Sequence, residues 1–312
     1  MRKTSTSTFR LSLPATSANL GPAFDAAALA FDIYLSLEAR IADGDSIIAS
    51  GLDTDVCGKV ENHLILTTYR EVLQAAGKPA PYLALKIHND IPIGKGCGSS
   101  AAARLAGIGL ANHFGKLSWT DEQIVGEASR REHHPDNAAA CWMGGITVAR
   151  MSGEAEAQIV RIDPKGKWPL LLAVPDESLS TEEARRVLPA QYSRADAVTN
   201  IQNSMLLLAA FIQGKPELLI NALDDRIHQP YRAPLCPLLP ALRELSGTNG
   251  ILGAVLSGAG PSVLMFLVPA TRLSAKKIAA QVAAYLEKKQ LSAELIFTEI
   301  AKRGGSSASS KR

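Results

Sequence analysis

The chain has 312 residues, 46% hydrophobic and 20% charged, which leaves room for two ordinary domains and a large core. A balance of 33 basic to 30 acidic residues gives a net charge of +3, and no basic stripe with interleaved aromatics appears, so nucleic acid is not an expected partner. The longest apolar run, Met205 to Ile212, is too short to cross a bilayer, and the four scattered cysteines form no Cys-x-x-Cys pair; the expectation is a cytoplasmic protein without membrane segment, zinc site or disulfides.

Phe9 to Leu13 alternates like a strand and runs into Pro14-Ala-Thr-Ser-Ala-Asn-Leu-Gly-Pro-Ala-Phe-Asp25. Turn chemistry accounts for Pro, Gly and Asn there, but not for Asn19 and Asp25 flanking an otherwise apolar bend. Phe31 to Ile41 predicts a second strand, and Glu61-Asn62 opens a helix that Gly77 and Pro79 stop near Ala76. Tyr82 to His88 alternates again, as a half-buried strand does.

Next comes Ile91-Pro92-Ile93-Gly94-Lys95-Gly96-Cys97-Gly98-Ser99-Ser100-Ala101-Ala102, followed by an Ala- and Leu-rich helix to Phe114. Three glycines at alternate positions let backbone N–H groups approach a ligand, and the helix N-terminus after them favours an anion. Two serines at the helix start can reach a phosphate oxygen or a Mg²⁺ ion. The spacing is neither that of a Walker A loop nor that of a dinucleotide fingerprint, since Ser99 stands where each needs glycine. The stretch reads as a nucleotide-phosphate loop, with a tight turn into a packed helix as the plain alternative.

Ser118 or Thr120 caps a further helix that ends in Arg130-Arg-Glu-His-His-Pro-Asp-Asn137, where Glu132 is a fitting ligand for a hard Mg²⁺. A hairpin over 145–163 marks the boundary between domains. Trp168 to Pro175 predicts a buried strand, and Ser180-Thr-Glu-Glu183 is a capping box opening a short helix with Arg185 and Arg186. Helices are expected at 193–213, 216–228, 235–246 and 274–288, with strands on either side of the glycine loop in Ile251–Val268 and at 293–300. This order suggests a ferredoxin-like second unit. The expected division is 1–155, 156–303 and a low-complexity, disordered tail over 304–312.

Three stretches, Pro14 to Asp25, Pro92 to Ala102 and Leu256-Ser-Gly-Ala-Gly-Pro-Ser262, resemble in order and spacing the motifs of the GHMP small-molecule kinases. Glu132-His-His-Pro-Asp-Asn137, Ser180 to Pro189 and Gln229-Pro-Tyr-Arg232 are similar to segments of the homoserine kinase branch. The resemblance implies an α+β, two-domain GHMP kinase fold, with an N-terminal domain like domain 2 of ribosomal protein S5 and a ferredoxin-like C-terminal domain. It implies ATP and Mg²⁺ as cofactors, L-homoserine as substrate in threonine biosynthesis, and a homodimer in many members. Pro92 to Ala102 would hold the nucleotide phosphates, Asn62 the adenine side, and Ser100 with Glu132 the metal. Asn19, Asp25, His134, Arg185 and Arg232 match substrate positions, the arginines facing an amino-acid carboxylate.

Asn137, counted back from Gly144-Gly145, stands where mevalonate kinase-like members carry a catalytic Asp. Asn137, Asp25 and Glu132 are therefore the candidate catalytic residues, without a strong carboxylate base at 137. Asp136 or Asp25 as base stays open. So do a kinase of this fold acting on another small alcohol and a nucleotide-binding relative without turnover. Ala23, Cys97 and His133 depart from the family pattern of Gly, Leu and Gly.

Overall fold

A computed structural model of the chain describes residues 8–269 and 275–306. Its elements run β1 (Phe9–Ala18), β2 (Ala27–Ile41), β3 (Ser46–Gly51), α1 (Thr54–Cys57), α2 (Leu64–Ala75), β4 (Leu83–Asn89), α3 (Ser99–Gly115), α4 (Asp121–Glu132), α5 (Asp136–Met143), β5 (Ile146–Met151) and β6 (Ala157–Ile162). There follow β7 (Leu170–Val174), α6 (Thr181–Arg186), α7 (Arg194–Gln213), α8 (Leu219–Ala222), α9 (Gln229–Arg232), α10 (Leu238–Arg243), β8 (Ile251–Leu256), β9 (Val263–Leu267), α11 (Ala275–Lys288) and β10 (Glu294–Thr298).

The first sheet has the order β3-β4-β2-β5-β6, with β1 on β2. The 15-residue β2 is long enough to pair with β1 from Phe9↔Ala39 to Ala18↔Ala28 and to share its two ends between β4 and β5. Pro14 lies where the β1 register shifts, so its missing N–H costs no ladder bond. α3 is buried along most of its length, because Ala101, Ala102, Leu105, Ala106, Ile108, Leu110 and Ala111 leave no polar stripe. Gly107 brings α3 against α2: a Cβ there would lie 2.6 Å from the Ile65 carbonyl oxygen.

The second sheet is antiparallel in the order β10-β7-β9-β8. Renumbered within the domain this is 4-1-3-2, the ferredoxin-like order expected from the sequence. β7 is buried on both faces, with Leu170 and Leu172 in the large core around Phe211 and Phe266 and Leu171 and Ala173 in a second core with Ile278 and Val282.

Several boundaries differ from the sequence reading. β6 pairs with β5 over Ala157–Met151 to Ile162–Ile146, so the first sheet extends past the 155/156 division to Ile162. The helix expected over 216–228 is a 3-10 turn and the four-residue α8, because the Asp225 carboxylate takes the amides of Ile227, His228 and Gln229 at 2.9, 3.0 and 2.6 Å. The tail does not loosen at 304: Gly304 and Gly305 are buried, and the Gly305 amide donates to the Cys141 carbonyl at 3.2 Å. A Cβ on Gly305 would meet Leu13 and Trp142 at 2.6 and 2.7 Å. Residues 307–312 of that expected tail, and position 274 of the expected last helix, lie outside the described residues. Just before the tail, Ile300 bridges Phe31 of β2, and Ala301 donates to Ala30 while accepting from Gly145.

Candidate active site

The phosphate loop owes its shape to the glycines. Gly94, Gly96 and Gly98 have φ of 71°, 78° and 73°, while the residues between them keep negative φ. This alternation turns successive N–H groups towards one side, an anion-binding concavity. A Cβ on Gly96 would lie 2.3 Å from the Ser257 carbonyl oxygen, and one on Gly98 2.0 Å from Thr16 Oγ1. The loop carbonyls face outward and are fastened: Cys97 O accepts from Thr16 N at 3.0 Å, Gly96 O from Ser257 Oγ at 2.8 Å, and Gly94 O from Leu179 N at 3.3 Å. Among the described residues, the amides of Lys95 to Ala101 meet no acceptor. Lys95 itself turns away and donates to the Asp176 carbonyl. Cys97 packs into the core, and burial pushes its thiol up to about 12, so it fills the place of a Leu as an inert apolar group.

Beside the loop lies a cavity of about 450 Å³ lined by Asn62, Leu64, Ile65, Ile93 and Ser99, among others. Asn62 has φ of 55° and precedes His63, which is the N-cap of α2, so the Asn62 side chain is not committed to capping. Pro92 and Ile93 shape the entry to the loop, and Ala101 and Ala102 bury themselves beneath it.

The end of α4 comes next to the start of α3. Ser100 Oγ donates to Glu132 Oε1 at 2.7 Å, so the two oxygens sit as neighbouring ligands of a hard cation would. Arg104, one turn beyond Ser100, binds the same carboxylate oxygen at 2.5 Å. The sequence reading missed it, although a lone arginine at i+4 from a candidate ligand in an apolar helix is a readable signal.

After Glu132 the chain turns through His133 at φ 69°, and His134 and Asp136 bury themselves side by side. Asp136 Oδ1 lies 2.6 Å from His134 Nδ1 and accepts from the Asn137 amide, also at 2.6 Å. Burial works against the charge on His134, but the Asp136 hydrogen bond and charge outweigh it and raise its pKa. Asn137 Oδ1 accepts from Thr16 Oγ1 at 2.6 Å, a link across 121 positions that the sequence does not announce.

The remaining candidates gather around Phe24. Asn19, at φ 72°, accepts from the Asp25 amide at 2.9 Å and donates to the Gly258 carbonyl at 2.9 Å. Arg185 takes Asp25 in a bidentate grip at 2.6 and 3.0 Å. Arg232, 1% exposed, donates to Ala184 O at 2.9 Å, and its guanidinium and that of Arg185 lie 5.3 and 5.4 Å from the Phe24 ring centre. Burial and the neighbouring Arg185 lower Arg232 to about 10, with Asp25 opposing. His228, stacked on Phe24, receives an Arg232 N–H on Nδ1 at 3.2 Å, which leaves its Nε2–H to donate to Gly21 O at 2.8 Å. Phe24 and His228 were not singled out in the sequence, where a lone aromatic and a lone histidine carry no pattern. Asp25, His134 and Asp136 also bring one oxygen or nitrogen each within 4.8 Å of one another.

This frame defines a two-domain small-molecule kinase. The GHMP kinases N terminal domain matches residues 63–145, and the GHMP kinases C terminal domain matches residues 207–288. The chain is 43% identical over 262 residues to the homoserine kinase of Solibacter usitatus, covering 84% of this chain and 86% of that one. It is 38% identical over 258 residues to the homoserine kinase of Deinococcus radiodurans, covering 83% and 84%. The chain belongs to the homoserine kinase family of GHMP kinases. The solved homoserine kinase of Cytophaga hutchinsonii shares the fold at a TM-score of 0.81 and 23% identity, over 97% of this chain and 98% of that one. The L. major mevalonate kinase does so at 0.69 and 15%, over 95% and 97%. No helix among the described residues is long and apolar enough to cross a membrane.

Proposed function

We propose that this chain transfers the γ-phosphoryl group of ATP to the side-chain hydroxyl of L-homoserine, giving O-phospho-L-homoserine for threonine biosynthesis. One observation carries the reading: the Ser257–Gly260 loop is bonded to Gly96 of the phosphate loop on one side and to Asn19 and Arg232 on the other. A phosphate cradle and a cluster of arginines and carboxylates are thereby held against each other.

In this reading the amides of the loop and the N-terminus of α3 take the phosphates, and the neighbouring cavity with Asn62 takes the adenine. Ser100 and Glu132 would hold Mg²⁺, which supplies positive charge against the phosphate oxygens when bound. Arg185 and Arg232 supply the guanidinium charge for the amino-acid carboxylate, with Phe24 as a spacer between them. Asp25, Asn19 and His134 orient the acceptor. Asp136 is occupied by His134 and the Asn137 amide, and Asp25 by Arg185, so neither is a free base. Asn137, its carbonyl fixed by Thr16, orients the acceptor hydroxyl without taking its proton. Catalysis then comes from positioning and charge, the proton passing to the transferred phosphoryl group. We place the domain division after Ile162 and the working protein in a homodimer.

The test is ADP release from MgATP with L-homoserine, D-homoserine, L-serine, L-threonine and mevalonate as separate acceptors. Turnover confined to L-homoserine supports the assignment. Turnover with mevalonate in its place, or none with any acceptor, overturns it.

A further inference from the structure

Among the 17 residues of α3, Arg104 is the only one that is Asp, Glu, Lys or Arg. Its side chain is 25% exposed and that of its partner Glu132 13%. A guanidinium taken that far out of water is costly unless a counter-charge is fixed beside it. The pairing is not the local one. Glu132 follows two arginines on α4, yet Arg130 and Arg131 both turn to Glu127, at 3.0 and 2.8 Å, and Arg131 also to Glu71. Glu132 is held instead from another helix. Arg104 stands one turn beyond Ser100 and leans back towards the start of α3, as helical side chains do.

The two donors meet on one atom. Ser100 Oγ and Arg104 Nε both donate to Glu132 Oε1, at 2.7 and 2.5 Å, and Oε2 accepts from no donor among the described residues. A carboxylate held in this way has one oxygen engaged and the other open. That distinction matters to a cation. Mg²⁺ demands a near-ideal octahedron, which the narrow bite of a two-oxygen carboxylate does not fit, whereas Ca²⁺ accepts both oxygens in a larger and looser shell. Ser99, Ser100 and Ala103 line the cavity beside the phosphate loop, but Arg104 is not among its lining residues. Arg104 therefore acts through Glu132.

We infer that Arg104 is a positioning residue for phosphoryl transfer: by holding Glu132 through Oε1 it leaves Oε2 alone to face the cation, and so favours Mg²⁺ over Ca²⁺. The inference rests on the reading of Ser100 and Glu132 as the metal site. Outer partners of metal ligands commonly have this role.

The test is calorimetry on the full chain with a non-hydrolysable ATP analogue, titrated as its Mg²⁺ complex and as its Ca²⁺ complex. The ratio of the two dissociation constants is the readout, and the native chain should favour the Mg²⁺ complex by about 30-fold or more. Arg104→Met and Arg104→Gln both remove the charge and match each other in length, but only glutamine carries an N–H as many bonds from Cα as Nε. Arg104→Met should lower the ratio by about tenfold, while Arg104→Gln stays within about threefold of native. Melting curves without metal check that both variants fold. A native chain that takes both complexes equally well overturns the proposal. So does a ratio unchanged in Arg104→Met, which leaves Arg104 a staple between α3 and α4, or one lowered equally in both variants, which leaves only its charge at work. Glu132→Gln separates these results from a failure of the metal site. If it alters neither dissociation constant, Glu132 is no ligand and the role of Arg104 falls with it. If it weakens the Mg²⁺ complex while Arg104→Met leaves the ratio alone, the metal site stands and the role of Arg104 falls.

Discussion

Arg185 grips Asp25 through two parallel hydrogen bonds of 2.6 and 3.0 Å, joining α6 of the second domain to the first glycine-containing bend of the chain. Both side chains are about one-third exposed, so the pair adds little to stability, on the order of 1 kcal/mol or less. Its value is positional. The grip keeps a guanidinium and a carboxylate in a fixed relation beside Phe24 and Arg232, where the proposed function places the two charges of the amino-acid substrate.

From this, Arg185→Met should raise the KM for L-homoserine by about 100-fold, matching the loss of about 2–3 kcal/mol of charge-assisted bonding. The affinity for a non-hydrolysable ATP analogue should stay within about twofold. Steady-state kinetics and calorimetry separate the two, and an equal loss of nucleotide affinity would refute the assignment.

Glu132→Gln keeps the size of the side chain and removes its charge beside Ser100 and Arg104. The expected result is a kcat lower by about 10²–10³, with the Mg²⁺ dependence moved to higher concentration. Titration of activity against Mg²⁺ at fixed ATP reads this directly. An unchanged Mg²⁺ profile would remove Glu132 from the metal site.

Gly98→Ala tests the loop. The added Cβ would sit 2.0 Å from Thr16 Oγ1, on a residue whose φ is 73°. The left-handed backbone alone costs about 1–2 kcal/mol, and displacing β1 costs more. A lower melting temperature together with weakened nucleotide binding is expected, whereas binding that survives intact would show that the cradle tolerates opening.

His133 ends α4 at φ 69°, a left-handed conformation that favours glycine. His133→Gly should stabilise the chain by about 1 kcal/mol, because glycine adopts that conformation without Cβ strain. A urea midpoint that does not rise would mean that the exposed imidazole makes up the difference.

His228 has its pKa lowered from 6.5 to about 4, chiefly by burial and also by Arg232, against the pull of Asp225. The unfolded chain therefore binds a proton that the folded chain refuses between those values. The stability that rests on neutral His228 is complete above about pH 6.5 and declines as the pH falls towards 4, by on the order of 2–3 kcal/mol. Urea denaturation at pH 5 and pH 7.5 should show this difference in the native chain and less of it in His228→Gln.

Much of the fold was readable because local chemistry decided it. Thr120 caps α4 and Gln123 completes a capping box there, while the box expected at Ser180 is formed only in half, its hydroxyl accepting from the Glu183 amide; Gly94, Gly96 and Gly98 all take positive φ. What escaped depends on tertiary context. β3 is largely exposed and lacks apolar alternation, so only its parallel pairing with β4 makes it a strand. α5 is short and buried through Ala138 to Trp142, so it shows no amphipathic period. The candidate site residues were proposed by motif; Thr16 and His228 join them only through tertiary contacts with distant positions, whereas Arg104, four residues on from Ser100, was legible locally.

The return of the chain at Ile300 to Phe31, and the seating of Gly305 on Leu13 and Trp142, make the second domain an insertion in the first. Two covalent crossings, after Ile162 and before Ile300, tether it in place of one. The join is more than covalent, because Leu170, Leu172, Leu207 and Phe211 of the second domain share one core with Leu13, Leu29 and Phe31 of the first. During synthesis the consequence is one of timing. The first domain stays unsealed along β1 and α5 until residues 300–305 have emerged, so its core closes only after the second domain has been made.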